Sequence, residues 1–283
     1  MIQPRLRDDA LLADIEAAPD DDSLAHVWWL GQSGYLIKWA GRRLLFDPYL
    51  SDSLTVKYAA TDKPHVRMTA RCVEPGRLSG LDFVTSSHNH TDHLDAETLI
   101  PVFRANPSAR MVIPRANRAF VSHRLGEAAP AFVEMSDREP VAVDWCTWHG
   151  VAAAHNTLDR DAAGDPLYMG YVVEFGAFRL YHSGDTLWHD GLVGRLRSLG
   201  RCDAMFLPVN GHRPERRVAG NLNGTEAAAL AHACAARLAV PCHYDMFTFN
   251  TDSPAEFEAA CERLKQPCQV LECGERLTLT IRN

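Results

Sequence analysis

LDFVTSSHNHTDH, residues 81–93, is the stretch of sequence that decides the fold. Its first part is apolar and predicts a short buried strand. Three histidines and an aspartate follow directly, and a turn at a strand end can aim such side chains at one point. Imidazole with carboxylate suits zinc, iron or manganese. We therefore predict that metal is bound by His88, His90, Asp92 and His93. A histidine-rich polar loop is the alternative, but with 13 histidines in 283 residues this spacing is improbable by chance.

A two-metal site needs more ligands than this cluster supplies, and three candidates occur later in the chain. His155 follows VAAA, Asp185 follows RLYHSG, and His243 follows LAVPC. Each stands at the predicted end of a short strand, where a site at a sheet edge would collect it. Taken singly, each is more typical of a hydrogen-bonded structural residue. Together with the cluster they complete a predicted set of seven ligands.

The surrounding segments alternate between predicted strands and helices. Residues 26–50 read as strands broken at glycines, and residues 170–185 read as a β-hairpin. Residues 225–238, with Thr225 as cap, and residues 253–264 have helix-start signals. This order predicts an α/β architecture with two mixed sheets inside and helices outside.

We expect one domain over residues 1–283, with a helical extension at 1–24. The run Gly34-Tyr35-Leu36-Ile37 matches Gly170-Tyr171-Val172-Val173, each ahead of an Arg-Leu pair at the same offset. This weak repeat is typical of a duplicated sheet-plus-helix unit. The two predicted halves span about 25–164 and 165–283.

The ordered set of HxHxDH, a later His, Ser-Gly-Asp and a last His resembles the metallo-β-lactamase superfamily. The resemblance implies an αββα sandwich. It also implies that one metal is held by His88, His90 and His155, and the other by Asp92, His93 and His243, with Asp185 bridging. Two divalent ions that share a water lower its pKa toward neutrality, and Asp92 is the predicted catalytic residue that orients the nucleophile or takes its proton.

Four further stretches are similar to the L-ascorbate-6-phosphate lactonase group. They are residues 28–31, 63–78, 181–185 and 241–245. That group implies a divalent metal, often manganese, and ring opening of a phosphorylated sugar lactone. The predicted function is therefore a metal-dependent lactonase with two divalent ions per chain, manganese or zinc, with iron as a further option.

Two other functions stay open. The run SHNHTDHLD at 87–95 also resembles the N-acyl-phosphatidylethanolamine phospholipase D group, a metal-dependent phosphodiesterase. That group needs a lipid-facing surface, and the sequence has no amphipathic basic helix. The other is a non-hydrolytic metal-binding or redox protein. Diiron relatives of the fold replace a cluster histidine with a carboxylate, and the intact His90 disfavours that class.

Substrate contacts are predicted in the loop PVNGHRPERRVAGNLNGTEAA at 208–228. Arg213, Arg216 and Arg217 are candidates for clamping a phosphate, and Asn210 for facing the metals from the end of a strand. The alternative is a solvated surface loop with ordinary charges.

Composition limits the classes of molecule that the chain is expected to bind. The formal net charge is -7 without a basic stripe, which disfavours nucleic acid. The chain has neither a secretory signal nor a run of about 18 apolar residues, so we expect a cytoplasmic protein without a membrane partner. The eight cysteines form no CxxC pair and predict buried free thiols. We expect a small anionic, phosphorylated substrate and a homo-oligomer.

Overall fold

The computed structural model describes residues 1–281, and their strands form two sheets. The strands are β1 (Leu24–Gly31), β2 (Gly34–Trp39), β3 (Arg42–Phe46), β4 (Phe83–Thr85), β5 (Arg110–Pro114), β6 (Phe132–Met135), β7 (Val141–Val143), β8 (Cys146–Ala152), β9 (Met169–Phe175), β10 (Phe178–His182), β11 (Ala204–Pro208), β12 (Ala239–Cys242) and β13 (Arg276–Thr280). The α-helices are α1 (Asp8–Ala17), α2 (Ser53–Tyr58), α3 (Ala96–Ala105), α4 (Arg118–Leu125), α5 (Leu192–Ser198), α6 (Gly224–Ala233) and α7 (Ala255–Leu264).

The two sheets repeat one pattern of strand directions. The first sheet has the order β13-β1-β2-β3-β4-β5-β6, antiparallel from β13 to β3 and parallel from β3 to β6. The second has the order β12-β11-β10-β9-β8-β7, antiparallel from β7 to β10 and parallel from β10 to β12. The Gly-Tyr repeat therefore lies on matching strands, β2 and β9.

The division between the sheets differs from the predicted division between halves. The second sheet begins with β7 at Val141, because β7 pairs with β8 and β8 pairs with β9. The predicted boundary at residues 164/165 thus falls inside the second sheet. The last strand, β13, returns to the first sheet beside β1.

The sheets pack face to face through large aromatic side chains. Tyr35 of β2 lies against Phe206 of β11, with ring centroids 4.3 Å apart, and both side chains are fully buried. Phe46 of β3 meets Trp148 of β8 edge-on at 6.2 Å. The central strands are buried on both faces, as expected when helices cover the outer side of each sheet. The predicted α/β sandwich is confirmed.

Helix α3 contains a proline, and helix α6 has a different cap from the predicted one. Helix α3 continues through Pro101, because the burial of Leu99, Val102 and Phe103 outweighs the one lost backbone hydrogen bond. Helix α6 is capped by Asn223 in a reciprocal capping box with Glu226, so the predicted cap, Thr225, lies inside the first turn.

Two further findings concern composition. All eight cysteines are free thiols, and all are buried except the half-buried Cys268. In the described part of the chain, no helix has both the length and the apolarity needed to cross a membrane.

Candidate metal centre

The seven predicted ligands stand where strands of both sheets end. The HxHxDH cluster comes shortly after β4, whereas His155, Asp185 and His243 follow β8, β10 and β12. The turn that carries Asp185 passes very close to the cluster. A Cβ atom on Gly184 would lie 2.5 Å from Cβ of Ser87, and Gly184 has φ of 58°, so both space and backbone require glycine here.

Three histidines form the first ligand group, His88, His90 and His155, with ligand atoms within 4.8 Å of one another. Nδ1 of His90 lies 3.1 Å from Nε2 of His155. Burial and the neighbouring imidazoles lower the pKa of His88 well below its usual range. Burial likewise lowers the pKa of His155 to about 4. This group, which we call the three-histidine cluster, is therefore neutral at physiological pH.

The second group mixes imidazole and carboxylate and contains Asp92, His93, Asp185 and His243. Nε2 of His93 lies 3.3 Å from Oδ1 of Asp185, and Nε2 of His243 lies 3.5 Å from Oδ2 of Asp92. Burial opposes charge on these imidazoles, but the adjacent carboxylates raise the pKa of His93 well above its usual range and that of His243 to about 9. We call this group the carboxylate cluster.

Asp185 lies between the two groups. Its Oδ2 is 3.6 Å from Nε2 of His155 in one cluster and 3.4 Å from Nε2 of His243 in the other. Burial alone would raise the pKa of Asp185, yet His93 and His243 hold it well below its usual range. One carboxylate in this position can bridge two cations.

The donor atoms fit a pair of divalent ions. Ligands bonded to one ion at about 2.1 Å lie roughly 3.4 Å apart in tetrahedral geometry. The distances given above, from 3.1 Å to 3.6 Å, are close to this spacing. Three of the donor atoms are buried without a hydrogen-bond partner among residues 1–281, namely Nε2 of His88, Nε2 of His93 and Oδ1 of Asp185. Orphaned buried polar atoms are costly unless an ion satisfies them.

Outer hydrogen bonds orient two of the imidazoles. Nδ1 of His93 donates to Oδ2 of Asp47 at 2.7 Å, and Nδ1 of His155 donates to the carbonyl of Gly220 at 2.9 Å, so Nε2 faces the centre in both rings. Asp47 is fully buried and also accepts from the backbone N–H of Ser87. Sequence reasoning missed Asp47; its signal is an acidic residue directly after the apolar strand β3.

Gln32 adds a polar group beside the carboxylate cluster. Its side-chain Nε2 donates to Oδ2 of Asp92 at 2.8 Å, and its backbone carbonyl accepts from the backbone N–H of His243 at 3.0 Å. Gln32 and His243 have φ of 50° and 66°, a sparsely populated region for these residue types. The thiol of Cys242, next to His243, belongs to neither ligand cluster.

A cavity of about 560 Å³ opens above the ligands, and His90, Asp92, His155, Asp185 and His243 form part of its lining. This volume is in the range of small-molecule sites. Four cationic side chains also line it: Lys57, Lys63, Arg124 and Arg217. An aromatic wall is formed by Tyr58, His65 and Phe247.

The loop predicted to bind substrate is placed differently. Of its candidates, only Arg217 lines the cavity. Asn210 is fully buried and hydrogen-bonded to Asn221 and Asn250. Arg213 and Arg216 both pair with Asp252. Because their polar groups are already engaged, these three residues hold the loop in place instead of facing the substrate space.

Comparison with known proteins identifies the family of the chain. Residues 42–244, more than two thirds of the chain, match the family model described as the beta-lactamase superfamily domain. The chain belongs to the beta-lactamase superfamily. A UPF0173 metal-dependent hydrolase from Opitutus terrae is 27% identical over 256 residues, covering 88% of this chain and 97% of the relative. The chain is an enzyme of the superfamily's metal-dependent hydrolase type.

Solved structures share the fold at low sequence identity. Igni18, a metallo hydrolase from Ignicoccus hospitalis, superposes with a TM-score of 0.67 at 19% identity, covering 92% of this chain and all of that one. An isothiocyanate hydrolase from Delia radicum gut bacteria gives a TM-score of 0.71 at 18% identity, covering 90% of this chain and 99% of that one. The predicted metallo-β-lactamase fold is confirmed.

Proposed function

We propose that the chain opens the ring of a small anionic lactone, of the phosphorylated-sugar type, with two divalent ions held by the two ligand clusters. The observation that carries the proposal is a cavity lined by five of the seven ligand residues and by four cationic side chains, which we call the rim. Manganese, zinc and iron all match the imidazole and carboxylate donors. When bound, such ions lower the pKa of water and polarise the substrate's carbonyl oxygen.

The residues of the chain supply orientation around that chemistry. Asp92 is both a donor of the carboxylate cluster and part of the cavity lining, so its carboxylate can hold the attacking water and accept its proton. Gln32 restrains the same carboxylate by donating to Oδ2. Asp47 keeps the His93 ring in the orientation that presents Nε2 to the centre.

The rim favours an anionic substrate. Three of its cations are engaged: Arg217 pairs with Asp62, Lys63 donates to the carbonyl of Arg217, and Arg124 donates to two backbone carbonyls. Lys57 is exposed and makes only a 3.4 Å hydrogen bond with Thr91, without a carboxylate partner in the described part of the chain. Lys57 is therefore the cation most available to a phosphate.

The resemblance to the L-ascorbate-6-phosphate lactonase group supports the carbonyl chemistry. The competing activity, phosphodiester hydrolysis, would use the same donors, so it is tested directly. The purified chain is stripped of metal, reloaded with manganese or zinc, and assayed with L-ascorbate-6-phosphate and with bis-p-nitrophenyl phosphate. We expect about two ions per chain and turnover of the lactone, lost in His88→Ala. Turnover of the diester alone would favour the phosphodiesterase, and no metal with no turnover would contradict the proposal.

The rim is tested with a charge-removing variant. Lys57→Ala should raise KM for a phosphorylated lactone about 5-fold and leave KM for an unphosphorylated lactone unchanged. Lys265→Ala, an exposed lysine that does not line the cavity, is the matched control. An equal effect of Lys57→Ala on both substrates would mean that Lys57 supports α2 and not the anion.

A further inference from the structure

The aromatic wall of the cavity contains a histidine outside both ligand clusters. His65 lines the cavity, and its ring packs against Tyr58 at 4.5 Å and against Phe247 and Phe249 at 5.2 Å each. Its Nδ1 lies 2.8 Å from the carbonyl of Lys63. A carbonyl can only accept, so Nδ1 carries the proton and Nε2 of the neutral ring offers a lone pair.

Nε2 of His65 is available to a ligand. Within residues 1–281 it has no hydrogen-bond partner, and it is not among the polar atoms buried away from solvent. Burial lowers the pKa of His65, and this effect outweighs the hydrogen bond to the Lys63 carbonyl and the charge of Asp92, which both raise it. The ring is therefore a hydrogen-bond acceptor near neutral pH, held in one orientation by its aromatic neighbours and Lys63.

Asn250 also lines the cavity and carries the complementary group. Its Oδ1 accepts from Nη1 of Arg216 at 3.3 Å and from Nδ2 of Asn210 at 3.2 Å. A guanidinium has only donors, so the contact with Arg216 fixes which end of the amide is oxygen. Nδ2 of Asn250, which lines the cavity, is left without a partner in the described chain and is not shut off from solvent. Asn210 and Arg216 are thus positioning residues behind Asn250.

The segments that carry His65 and Asn250 are joined to each other. The backbone N–H of Thr248 donates to the carbonyl of Val66 at 2.9 Å, and Arg67 forms an antiparallel bridge with Phe247. Phe249, the neighbour of Asn250, packs on the ring of His65. The cavity lining therefore carries an oriented acceptor and an oriented donor on two joined segments.

We propose that His65 and Asn250 form a hydroxyl-recognition subsite: a substrate hydroxyl donates to Nε2 of His65 and accepts from Nδ2 of Asn250. A hydroxyl is the small group that both donates and accepts, which matches this pair. The inference rests on the proposed lactonase function and refines it, since it requires a polyhydroxylated substrate and disfavours a bare acyl chain.

The test compares two lactones with the same ring. L-gulono-γ-lactone carries hydroxyls, and γ-butyrolactone does not. In the manganese-loaded chain, His65→Phe keeps an aromatic ring and removes the acceptor, and Asn250→Ala removes the donor. Each should lower the ratio of kcat/KM for the hydroxylated over the plain lactone about 10-fold, mainly through KM. His65→Gln, whose amide oxygen can accept, should restore part of the ratio.

Positioning is tested separately. Arg216→Met should reproduce the ratio change of Asn250→Ala, whereas His123→Phe, on the exposed side of α4, should change nothing. A loss of equal size on both lactones in His65→Phe, or no loss on either, would overturn the subsite.

A binding measurement separates this inference from the proposed function. Calorimetry of L-gulonate with the metal-free chain needs no turnover, and His65→Phe should weaken its Kd about 10-fold. If the loaded wild type opens neither of these lactones nor L-ascorbate-6-phosphate but this difference in Kd is observed, the lactonase proposal fails and the hydroxyl subsite stands. If both lactones are opened and Kd is unchanged by the variant, the subsite fails alone.

Discussion

The three-histidine cluster and the carboxylate cluster lie side by side, yet their charges differ before any ion binds. In the first, burial and neighbouring imidazoles lower the histidine pKa values, to about 4 for His155. In the second, Asp92 and Asp185 raise the pKa of His93 and bring that of His243 to about 9. The first cluster meets a cation without a competing proton, whereas the second must first release protons. The two clusters therefore differ in the number of protons that a cation must displace.

The largest expected effect comes from the residue that the two clusters share. Asp185→Asn removes a charge that lies within 3.6 Å of both His155 and His243. We expect both ions to be lost together and kcat/KM to fall more than about 100-fold, beyond what outer partners of a metal site contribute. Metal content and lactone turnover measure this, with the exposed Asp190→Asn as control. Retention of one ion at full affinity would mean that Asp185 serves a single cluster.

Asp47→Asn should change the metal affinity of one cluster and not of the other. Asp47 contacts His93 at 2.7 Å, whereas the three-histidine cluster is oriented by other groups, such as the Gly220 carbonyl behind His155. The variant should weaken metal affinity of the carboxylate cluster about 10- to 100-fold and leave the other nearly unchanged. Competitive titration with a chromophoric chelator resolves the two affinities. Equal weakening of both would show that Asp47 supports the whole fold.

Lowering the pH should weaken the metal affinity of the two clusters unequally. Metal uptake by the carboxylate cluster displaces a proton from His243, whose pKa is about 9, so its affinity should fall about tenfold per pH unit as pH drops below that value. The raised pKa of His93 should make this fall steeper. The three-histidine cluster should keep its affinity until pH approaches the low pKa values of its rings, about 4 for His155. Titrations between pH 6 and 9 that gave parallel slopes would contradict the charge difference.

The smallest effect concerns the stability of the metal-free chain. The pKa of His243 is raised in the folded protein, so its contribution to stability is complete below the unfolded value of about 6.5 and is lost as pH rises through about 9. The unfolding temperature of the metal-free chain should therefore decline over that range, since the protons on His243 and His93 are being removed from a carboxylate-rich centre. The metal-loaded chain, scanned by calorimetry in the same buffers, should not show this decline.

Local sequence patterns predicted most of the fold and the seven candidate metal ligands. The strand before His88, the hairpin at 170–185 and the strands ahead of Asp185 and His243 are short-range signals, readable from alternating apolar residues and glycine. The histidine motif adds the information that these strand ends meet. The resemblance to a superfamily then supplied the order of the ligands, which spacing alone left open.

The contacts that sequence reasoning missed join residues far apart in the chain. Asp47 meets His93 across 46 positions, and Arg216 meets Asn250 across 34. No local periodicity marks such pairs, so Asp47 was not identified. Arg216 was predicted to bind phosphate, but its donors form hydrogen bonds with Asn210, Asn250 and Asp252. Lys57 was missed because no predicted helix covered it, whereas α2 carries it to the cavity.

The repeated strand pattern of the sheets has a mechanical consequence. One layer contributes the motif after β4, and the other contributes His155, Asp185 and His243 after β8, β10 and β12. Neither layer alone carries a complete ligand set, so ions bound by these residues would cross-link the two layers. Ion binding and the packing of the two sheets would then be coupled. Conditions that separate the sheets would release the ions, and ion binding would stabilise the packed sheets.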